Sequence, residues 1–416
     1  MNSNDKKIDS LPEDWKTIRL GDLAQIVRGV SYRSENYCSE REGFIFINLK
    51  CVGRNGGFRK DGIKYYKGNI KQNQFVSKGD ILIANTDLTQ NREVIGAPIE
   101  VPLLDKKACF SLDLTKLVTN SKIERRFLYY YLLSPSARNF MINNGNGTTV
   151  VHLAVSNIPN LLVPLPLLPE QRSIAKILSD LDAKIELNQE MNRTLESIAQ
   201  AIFKHWFINF EFPDEEGKPY KSSGGEMVDS ELGKIPKGWE VGRYSYLVKV
   251  TTGKGLKREE VSETGLYPVM GANGELGRTN KFLFDENLIL TGRVGTLGKI
   301  YITQGKVWIT DNVLISKAIL KEYFYYSYYT IRRFDFKSLN RGSTQPLITQ
   351  TDLKAQVCLI PDQRLLILFD RLLSSMFENI YMNLLQNKNL SQIRDALLPR
   401  LMSGKIRVPL EDQDAQ

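Results

Sequence analysis

The chain of 416 residues contains two diverged copies of one sequence pattern. The first copy opens with LPEDWKTIRLGDLAQIVRG and the second with IPKGWEVGRYSYLVKVTTG, which aligns Trp15 with Trp239 and Gly29 with Gly253 at an offset of 224 residues. Later in each copy NGTTVV aligns with RGSTQP at an offset of 195 residues, so the variable part of the second copy is shorter. A repeat of this size predicts two similar folded units and not one common core.

Each copy ends with a predicted helix. The helix begins at PEQR (Pro169) in the first copy and at PDQR (Pro361) in the second. Proline suits the first helical turn, and the acidic residue after it faces the positive end of the helix dipole. Apolar residues then recur at three- and four-residue steps, which favours a paired coiled coil over two separate core helices. The stripe comprises Ile174, Leu178, Leu181, Ile185, Leu195, Ala199 and Ile202 in the first helix, and Leu366, Phe369, Leu373, Phe377, Ile380, Leu384, Leu390, Ile393, Leu397 and Leu401 in the second. From residue 170 to 208 the first helix would be about 58 Å long.

Between its opening and its final helix, each copy contains short runs of β-branched and aromatic residues that are separated by glycine and asparagine turns. This pattern predicts that each copy folds into a β-rich globular domain, which we call a head. The aromatic runs FLYYYLL from Phe127 and YFYYSYY from Tyr323 predict helices packed on their own heads rather than base-stacking platforms. The predicted class is α+β, with two β-rich heads, each followed by a long helix of coiled-coil type. The predicted segments are a first head at 1–165, a helix at 166–212, a linker at 213–234, a second head at 235–360, a second helix at 361–405 and a tail at 406–416.

Charge and cysteine usage narrow the class of protein. The net charge of +9 favours a polyanionic partner, because lysine and arginine that neutralise phosphates release condensed counterions. The cysteines, Cys38, Cys51, Cys109 and Cys358, have no paired spacing, which argues against a zinc knuckle or a disulfide framework. There is no run of eighteen apolar residues and no signal-peptide core near the N-terminus, so we expect a cytoplasmic protein without a membrane partner.

The sequence contains no recognisable catalytic constellation. TGRVGTLGKI departs from a phosphate-binding loop at Arg293 and Ile300, and the histidines, His152 and His205, have no acidic or ligand-type partner at useful spacing. We therefore predict no catalytic residue, no metal site and no cofactor.

Taken in order, these motifs resemble the specificity subunits of type I restriction-modification systems, and the resemblance covers nearly the whole chain. It rests on the P-x-x-W opening of each head, the G-x-T turns, the LPLLPEQRSIAKIL junction, the LNQEMNRTLESIAQAIFKHWF helix, and PVMGANGELG, TGRVGTLGK and WITDN in the second head. The second junction, VCLIPDQRLLIL, departs from the pattern because it lacks the proline-rich LPLLP.

The resemblance implies two β-rich target-recognition domains that are separated by two long antiparallel coiled-coil helices and are thereby related by pseudo-twofold symmetry. Each domain would read one half of a split double-stranded DNA site, with an unread spacer whose length the helix pair sets. It also implies assembly with two modification subunits that use S-adenosylmethionine to methylate adenine, and with restriction subunits that translocate and cut DNA. The chain itself would be non-catalytic.

The polar loops of each head supply candidate DNA contacts. Arginine and lysine match guanine, asparagine and glutamine match adenine, and phosphates accept hydrogen bonds from nearly all polar groups. In the first head the candidates are Arg28, Tyr32, Arg33, Asn85, Gln90, Arg92, Asn144 and Thr148. In the second head they are Lys254, Lys257, Asn273, Arg278, Arg293, Ser343 and Gln345. The alternative for each is a solvated loop or turn residue.

Two other functions stay open from the residues alone. One is a nucleic-acid methyltransferase or nuclease with unrecognised catalytic motifs, and the other is a coiled-coil scaffold with no DNA role. The positive net charge and the polar loops favour a DNA-binding adaptor over both of these functions.

Overall fold

The computed structural model describes residues 11–89, 91–295, 297–342 and 345–409. The chain forms two compact units, the first made of residues 1–187 and 385–416 and the second of residues 188–384. Both boundaries fall inside long helices, so each unit contains a segment of both. The α-helices are α1 Arg125–Leu133, α2 Pro135–Asn143, α3 Leu168–Phe203, α4 Phe324–Ile331, α5 Gln350–Lys354 and α6 Gln363–Met402.

The strands of the first unit are short. They are β1 Lys16–Arg19, β2 Ala24–Arg28, β3 Phe44–Ile47, β4 Lys64–Tyr66, β5 Phe75–Val76, β6 Ile81–Ala84, β7 Thr86–Asp87, β8 Pro98–Glu100, β9 Ala108–Phe110, β10 Leu114–Thr119, β11 Gly145–Asn146, β12 Val151–Leu153 and β13 Leu162–Leu165.

The second unit has a similar set of strands. They are β14 Met227–Ser230, β15 Gly233–Pro236, β16 Glu240–Arg243, β17 Val248–Thr252, β18 Tyr267–Gly271, β19 Gly274–Thr279, β20 Phe284–Asp285, β21 Leu288–Gly292, β22 Ile300–Thr303, β23 Lys306–Ile309, β24 Val313–Ala318 and β25 Val357–Ile360.

The sheets of the two units correspond strand by strand. An antiparallel sheet has the order β2-β10-β6-β8 in the first unit and β17-β24-β21-β22 in the second. A second sheet has the order β4-β3-β9-β5 or β19-β18-β23-β20, with a parallel pair at its centre in both cases. The short pairs β1-β13 and β16-β25 complete the match. The duplicated sequence therefore encodes a duplicated topology, and the α+β class is confirmed.

One glycine in each copy is required by a close approach of two backbones. A Cβ atom on Gly29 would lie 2.0 Å from the carbonyl oxygen of Ser111, and one on Gly253 would lie 2.1 Å from that of Ile309. Any side chain at these positions would collide with the neighbouring strand. The aligned glycines of the repeat thus have a common structural cause.

Each unit has its own apolar core, to which the aromatic runs contribute as predicted. In the first unit, Phe127 and Tyr131 of α1 are buried in one cluster with Leu178 of α3. In the second, Tyr326 of α4 is buried in one cluster with Phe369 of α6. The prediction that both runs form helices packed on their own heads is confirmed.

The segments of α3 and α6 run antiparallel within each unit. In the second unit, Asn192 donates to the carbonyl oxygen of Ile380 (3.4 Å) and accepts from the Asn383 carboxamide (2.8 Å). In the first unit, Asn387 donates to the carbonyl oxygen of Ile185 (3.4 Å). Polar side chains therefore contribute to the contact between the helices.

The prediction that all apolar residues of the stripe in the second long helix lie in the helix contact is wrong for two of them. Leu384 and Ile393 are about half exposed, at 55% and 48%. The physical reason is a change of phase along α6, because Asn383 and Asn387 supply the contacts with α3 in this part of the helix.

The segment at 213–234, predicted as an exposed linker, contains local structure. Strand β14 pairs with β15 in an antiparallel hairpin that begins in this segment. Asp214 accepts hydrogen bonds from the backbone N–H groups of Glu216 and Lys218, which closes a tight turn.

Candidate nucleic-acid interface

The end of strand β6 brings several candidate loops of the first unit together. The backbone N–H of Asn85 donates to the carbonyl oxygen of Asp113 (2.7 Å), and its carbonyl oxygen accepts from the N–H of Leu153 (2.8 Å). The loop after β6, the turn before β10 and the strand β12 are therefore neighbours. Tyr32 joins them, because its hydroxyl donates to the Asp113 carboxylate (3.0 Å).

Tyr32, Arg28 and Arg33 lie on the surface of the first unit. Burial and the neighbouring Asp113 carboxylate raise the pKa of Tyr32, so its hydroxyl stays protonated and acts as a donor at neutral pH. Arg28 is exposed at the end of β2. Arg33 is exposed and makes only a loose ion pair with Glu35 at 3.6 Å, which contributes little to stability in water. Both guanidinium groups are accessible to a ligand.

Asn85 and Asn144 support the loops from within. The Asn85 side chain is buried, and its carboxamide nitrogen donates to the carbonyl oxygen of Leu112 (3.1 Å). Asn144 ends α2 and donates to the carbonyl oxygen of Phe140 (2.9 Å), while its own side-chain oxygen accepts from Asn157 (2.8 Å). These hydrogen bonds argue against base contacts through either side chain.

Arg92 also serves the fold of the first unit. Its backbone has a left-handed φ of 55°, and its guanidinium donates to the carbonyl oxygens of Ile142 (3.3 Å), Gly145 (3.4 Å) and Gly147 (3.4 Å). The guanidinium thereby fixes the loop that carries Thr148, which is itself exposed.

Arg293 occupies in the second unit the position of Asn85 in the first. Its N–H donates to the carbonyl oxygen of Asn312 (2.9 Å), and its carbonyl oxygen accepts from the N–H of Ile348 (3.0 Å). Its side-chain Nε is buried and has no hydrogen-bond partner among the residues that the structure describes. Gln345 is exposed, and the bridge between residues 294 and 347 brings its loop beside that of Arg293.

The remaining candidates of the second unit are mostly exposed turn residues. Lys254 is exposed, and its carbonyl oxygen accepts from the indole N–H of Trp308 (3.0 Å). Lys257 is exposed beside a short 3-10 helix. Asn273 is exposed in the tight turn between β18 and β19, where its carbonyl oxygen accepts from the Lys299 ammonium. These ammonium and carboxamide groups lie at the surface.

Arg278 differs from these because its guanidinium is used within the second unit. It donates to the carbonyl oxygens of Gly265 (2.7 Å) and Leu266 (2.6 Å) and pairs with Glu275 at 3.1 Å. Its side chain is only 22% exposed. These contacts argue against a base contact. Gln90 and Ser343, the other candidates, lie outside the described residues.

Asp113 and Asn312 were not selected from the sequence, although they hold equivalent places in the two units. Each immediately precedes the strand that continues the central sheet, β10 or β24, and each accepts the N–H described above through its carbonyl oxygen. The usable signal was the alignment of FSLDL with ITDNV, which puts the carboxylate of Asp113 in one copy where the other has the carboxamide of Asn312.

The three buried cysteine thiols, of Cys51, Cys109 and Cys358, are not activated. All four cysteines are free, and burial raises the pKa of Cys51 to about 11 and that of Cys109 and of Cys358 to about 12. A thiol with so high a pKa is a poor nucleophile and metal ligand at neutral pH. Within the described parts of the chain, no group of three or more histidine, cysteine or acidic side chains could hold a metal ion. No helix in those parts is both long and apolar enough to cross a membrane.

The sequence matches the family described as "Type I restriction modification DNA specificity domain" over residues 12–197 and 236–364, one match in each copy of the repeat. The chain belongs to this family. The resemblance drawn from its motifs is thereby confirmed.

Relatives of similar length support the assignment. The chain is 24% identical to the type I restriction enzyme MjaIX specificity subunit of Methanocaldococcus jannaschii, over 96% of this chain and 95% of the relative. It is also 24% identical to the HindI specificity subunit of Haemophilus influenzae, over 94% of this chain and all of the relative. The crystal structure of an S subunit from M. genitalium shares the fold, with a TM-score of 0.59 and 16% identity over 96% of this chain and 98% of that one.

Proposed function

We propose that this chain is the subunit that reads a bipartite DNA sequence for a restriction-modification complex. Residues 1–165 and 235–360 act as two target-recognition domains, related by pseudo-twofold symmetry and separated by an antiparallel coiled coil of the helices at 166–212 and 361–405. Each domain reads one half-site, and the bases between the half-sites are not read. The observation that carries the proposal is that the backbones of Asn85 and Arg293 make equivalent hydrogen bonds at equivalent strand ends, an arrangement that we call the common frame. The side chains around this frame differ between the two units.

This frame explains how one fold could recognise two unlike sequences. The backbone hydrogen bonds on either side of residues 85 and 293 have the same partners in the repeat, so the surrounding loops start from equivalent positions. The exposed groups nevertheless differ, with Arg33 and Thr148 in one unit and Lys254 and Gln345 in the other. Base edges are distinguished by their patterns of donors and acceptors, so unlike side chains select unlike bases.

We further propose that the chemistry belongs to partner chains. Two modification subunits that methylate adenine, together with restriction subunits, would act at the site that this chain selects, and the chain would contribute no catalytic residue or cofactor. The support is the family, the specificity-subunit names of its relatives, and the high pKa values of the buried thiols. A positive net charge of +9 would favour the complex with DNA at low salt.

The decisive experiment is reconstitution of the chain with its modification subunit, followed by genome-wide mapping of methylated adenines. The expected result is a single motif with two different half-sites and a fixed unread spacer. Methylation or cleavage by the purified chain without a partner would contradict the proposal, as would a continuous motif without a spacer.

Single substitutions extend this experiment to each unit. Thr148→Ala should alter only the first half-site and Gln345→Ala only the second. A lost base contact costs about 1–3 kcal/mol and relaxes one position, whereas a lost phosphate contact lowers affinity for all sequences and flattens the salt dependence. Lys218→Ala, in the proposed linker, serves as the control that should leave recognition unchanged. If both variants in the heads behaved like this control, these loops would not read the DNA.

A further inference from the structure

The loop that follows β6 is closed around one buried carboxylate, and we call its described residues, 87–89 and 91–95, the braced loop. The Asp87 side chain is fully buried and accepts hydrogen bonds from the backbone N–H groups of Thr89 (2.6 Å), Val94 (2.7 Å) and Ile95 (2.7 Å). Three N–H donors on one carboxylate are charge-assisted and directional, so they hold the loop in one conformation.

Basic side chains brace the same loop from α2 and its surroundings. Arg138 is buried, and its guanidinium donates to the carbonyl oxygens of Ile95 (2.6 Å) and Glu93 (3.0 Å). Arg54 pairs with the Glu93 carboxylate at 3.3 Å. Since these contacts come from outside the loop, its conformation is set by the fold of the first unit before any ligand binds.

This rigid loop exposes a large apolar side chain. Leu88 is 67% exposed and is the only apolar residue between Asn85 and Glu93. Strands β7 and β12 pair Asp87 with Val151, and these residues are the chain neighbours of Leu88 and Val150.

The segments bonded to the strand end before Leu88 carry further exposed apolar side chains. Val150 and Leu112 are also exposed large apolar residues, and the carbonyl oxygen of Leu112 accepts from the buried Asn85 side chain next to the braced loop. Tyr32 reaches the same turn through Asp113. Apolar groups thus lie among hydrogen-bonding groups, as they do on the edges of base pairs.

A preorganised apolar group at a DNA-reading surface matches one feature of DNA. In the major groove the C5-methyl group of thymine is the apolar element of the base edges, and aliphatic side chains contact it. A loop that is already ordered loses little conformational entropy on binding. We propose that Leu88 contacts the methyl group of one thymine in the half-site read by the first unit, an inference that rests on the proposed function.

The test removes the contact once by a change in the DNA and once by a change in the protein. With the chain assembled with its modification subunit, each thymine of the mapped half-site is replaced in turn by deoxyuridine, which lacks only the methyl group. Burying one methyl-sized group changes affinity about fourfold, so one position should show a loss of about this size. Leu88→Ala should weaken binding to unmodified DNA by a similar factor and abolish the uracil sensitivity at that position alone.

Matched variants separate this contact from general effects. Leu103 is an exposed leucine of the first unit on the segment after β8, and Leu103→Ala should retain the full uracil sensitivity. Leu88→Met keeps an aliphatic surface and should retain it as well. The urea midpoint of Leu88→Ala should equal that of the wild type, because the removed side chain is exposed.

The proposal is overturned if Leu88→Ala keeps the full uracil sensitivity, or if no thymine of that half-site is sensitive in the wild-type complex. Failure of the wild-type complex to bind any split site would instead contradict the proposed function. The two failures are therefore distinguishable in one set of binding measurements.

Discussion

Replacing Gly253 by alanine tests whether the aligned glycines of the repeat are fixed by a backbone contact. The new Cβ would lie 2.1 Å from the carbonyl oxygen of Ile309 and 2.5 Å from that of Thr310. Relief requires the strands to separate by about 1 Å, which strains the hydrogen bond from the N–H of Lys254 to Ile309 (2.9 Å). Losing a buried backbone hydrogen bond costs about 1–3 kcal/mol and overpacking a similar amount, so we expect the free energy of unfolding to fall by about 2–6 kcal/mol.

Urea unfolding, followed by near-ultraviolet circular dichroism, measures this loss. Gly255→Ala is the matched control two residues away, because its Cβ would meet only the Asp311 carboxylate at an ordinary 3.9 Å. Its stability should stay within about 0.5 kcal/mol of the wild type. Gly29→Ala should repeat the loss in the first unit. Wild-type stability of Gly253→Ala, or an equal loss in Gly255→Ala, would refute the reasoning.

Two further predictions concern the first unit. Arg407→Ala removes contacts to Asp14 (2.7 Å) and to the buried carboxylate of Glu170 (2.7 Å), which also accepts from the indole N–H of Trp15 (3.1 Å). Calorimetry should show a lower melting temperature for this variant, with a smaller deficit at high salt, since salt screens the exposed partner; equal melting at every salt concentration would contradict this role. Burial raises the pKa of Asp87, but the hydroxyl and backbone N–H groups that donate to it lower the pKa by more, so the net shift is downward. Its stabilisation is therefore present at neutral pH and lost as the pH falls through the acidic range below about 4, and Asp87→Asn should remove that part of the acid dependence. If acid unfolding were identical in this variant, the loop would not depend on the carboxylate.

The sequence patterns predicted the helices well because helix signals come from residues close together in the chain. They predicted the duplication well because the two copies can be aligned. Pro169 begins the first long helix within one residue of its observed start, and the aligned glycines mark the same backbone contact in both units. The pairing of strands was not predictable, because the parallel neighbours β3 and β9 are joined only by contacts distant in sequence. The phase change in α6 was missed because apolar spacing alone does not show that Asn383 and Asn387 take over the helix contact.

The candidate interface stays a prediction, and the structure divides its candidate side chains into exposed ones and ones that bond the protein itself. Residue type identified Tyr32 and Thr148, which are exposed, but it also selected Asn85 and Arg92, whose polar groups bond the protein's own backbone. Donors that suit a base edge equally suit a carbonyl group of a turn, and only the tertiary structure distinguishes the two. Residue types that match base edges by hydrogen bonding do not select Leu88, and only the structure shows that this apolar side chain is exposed.

The first unit consists of two separate segments of the chain, and this affects how the polypeptide folds as it is synthesised. Residues 188–384 form the second unit as one continuous segment, whereas the core around Trp15 and Leu20 includes Leu401 and Met402. A ribosome makes those last residues only after the whole of the second unit, so the domain that emerges first is completed last. During that interval the incomplete first core exposes apolar surface, a period in which chaperones would protect the nascent chain.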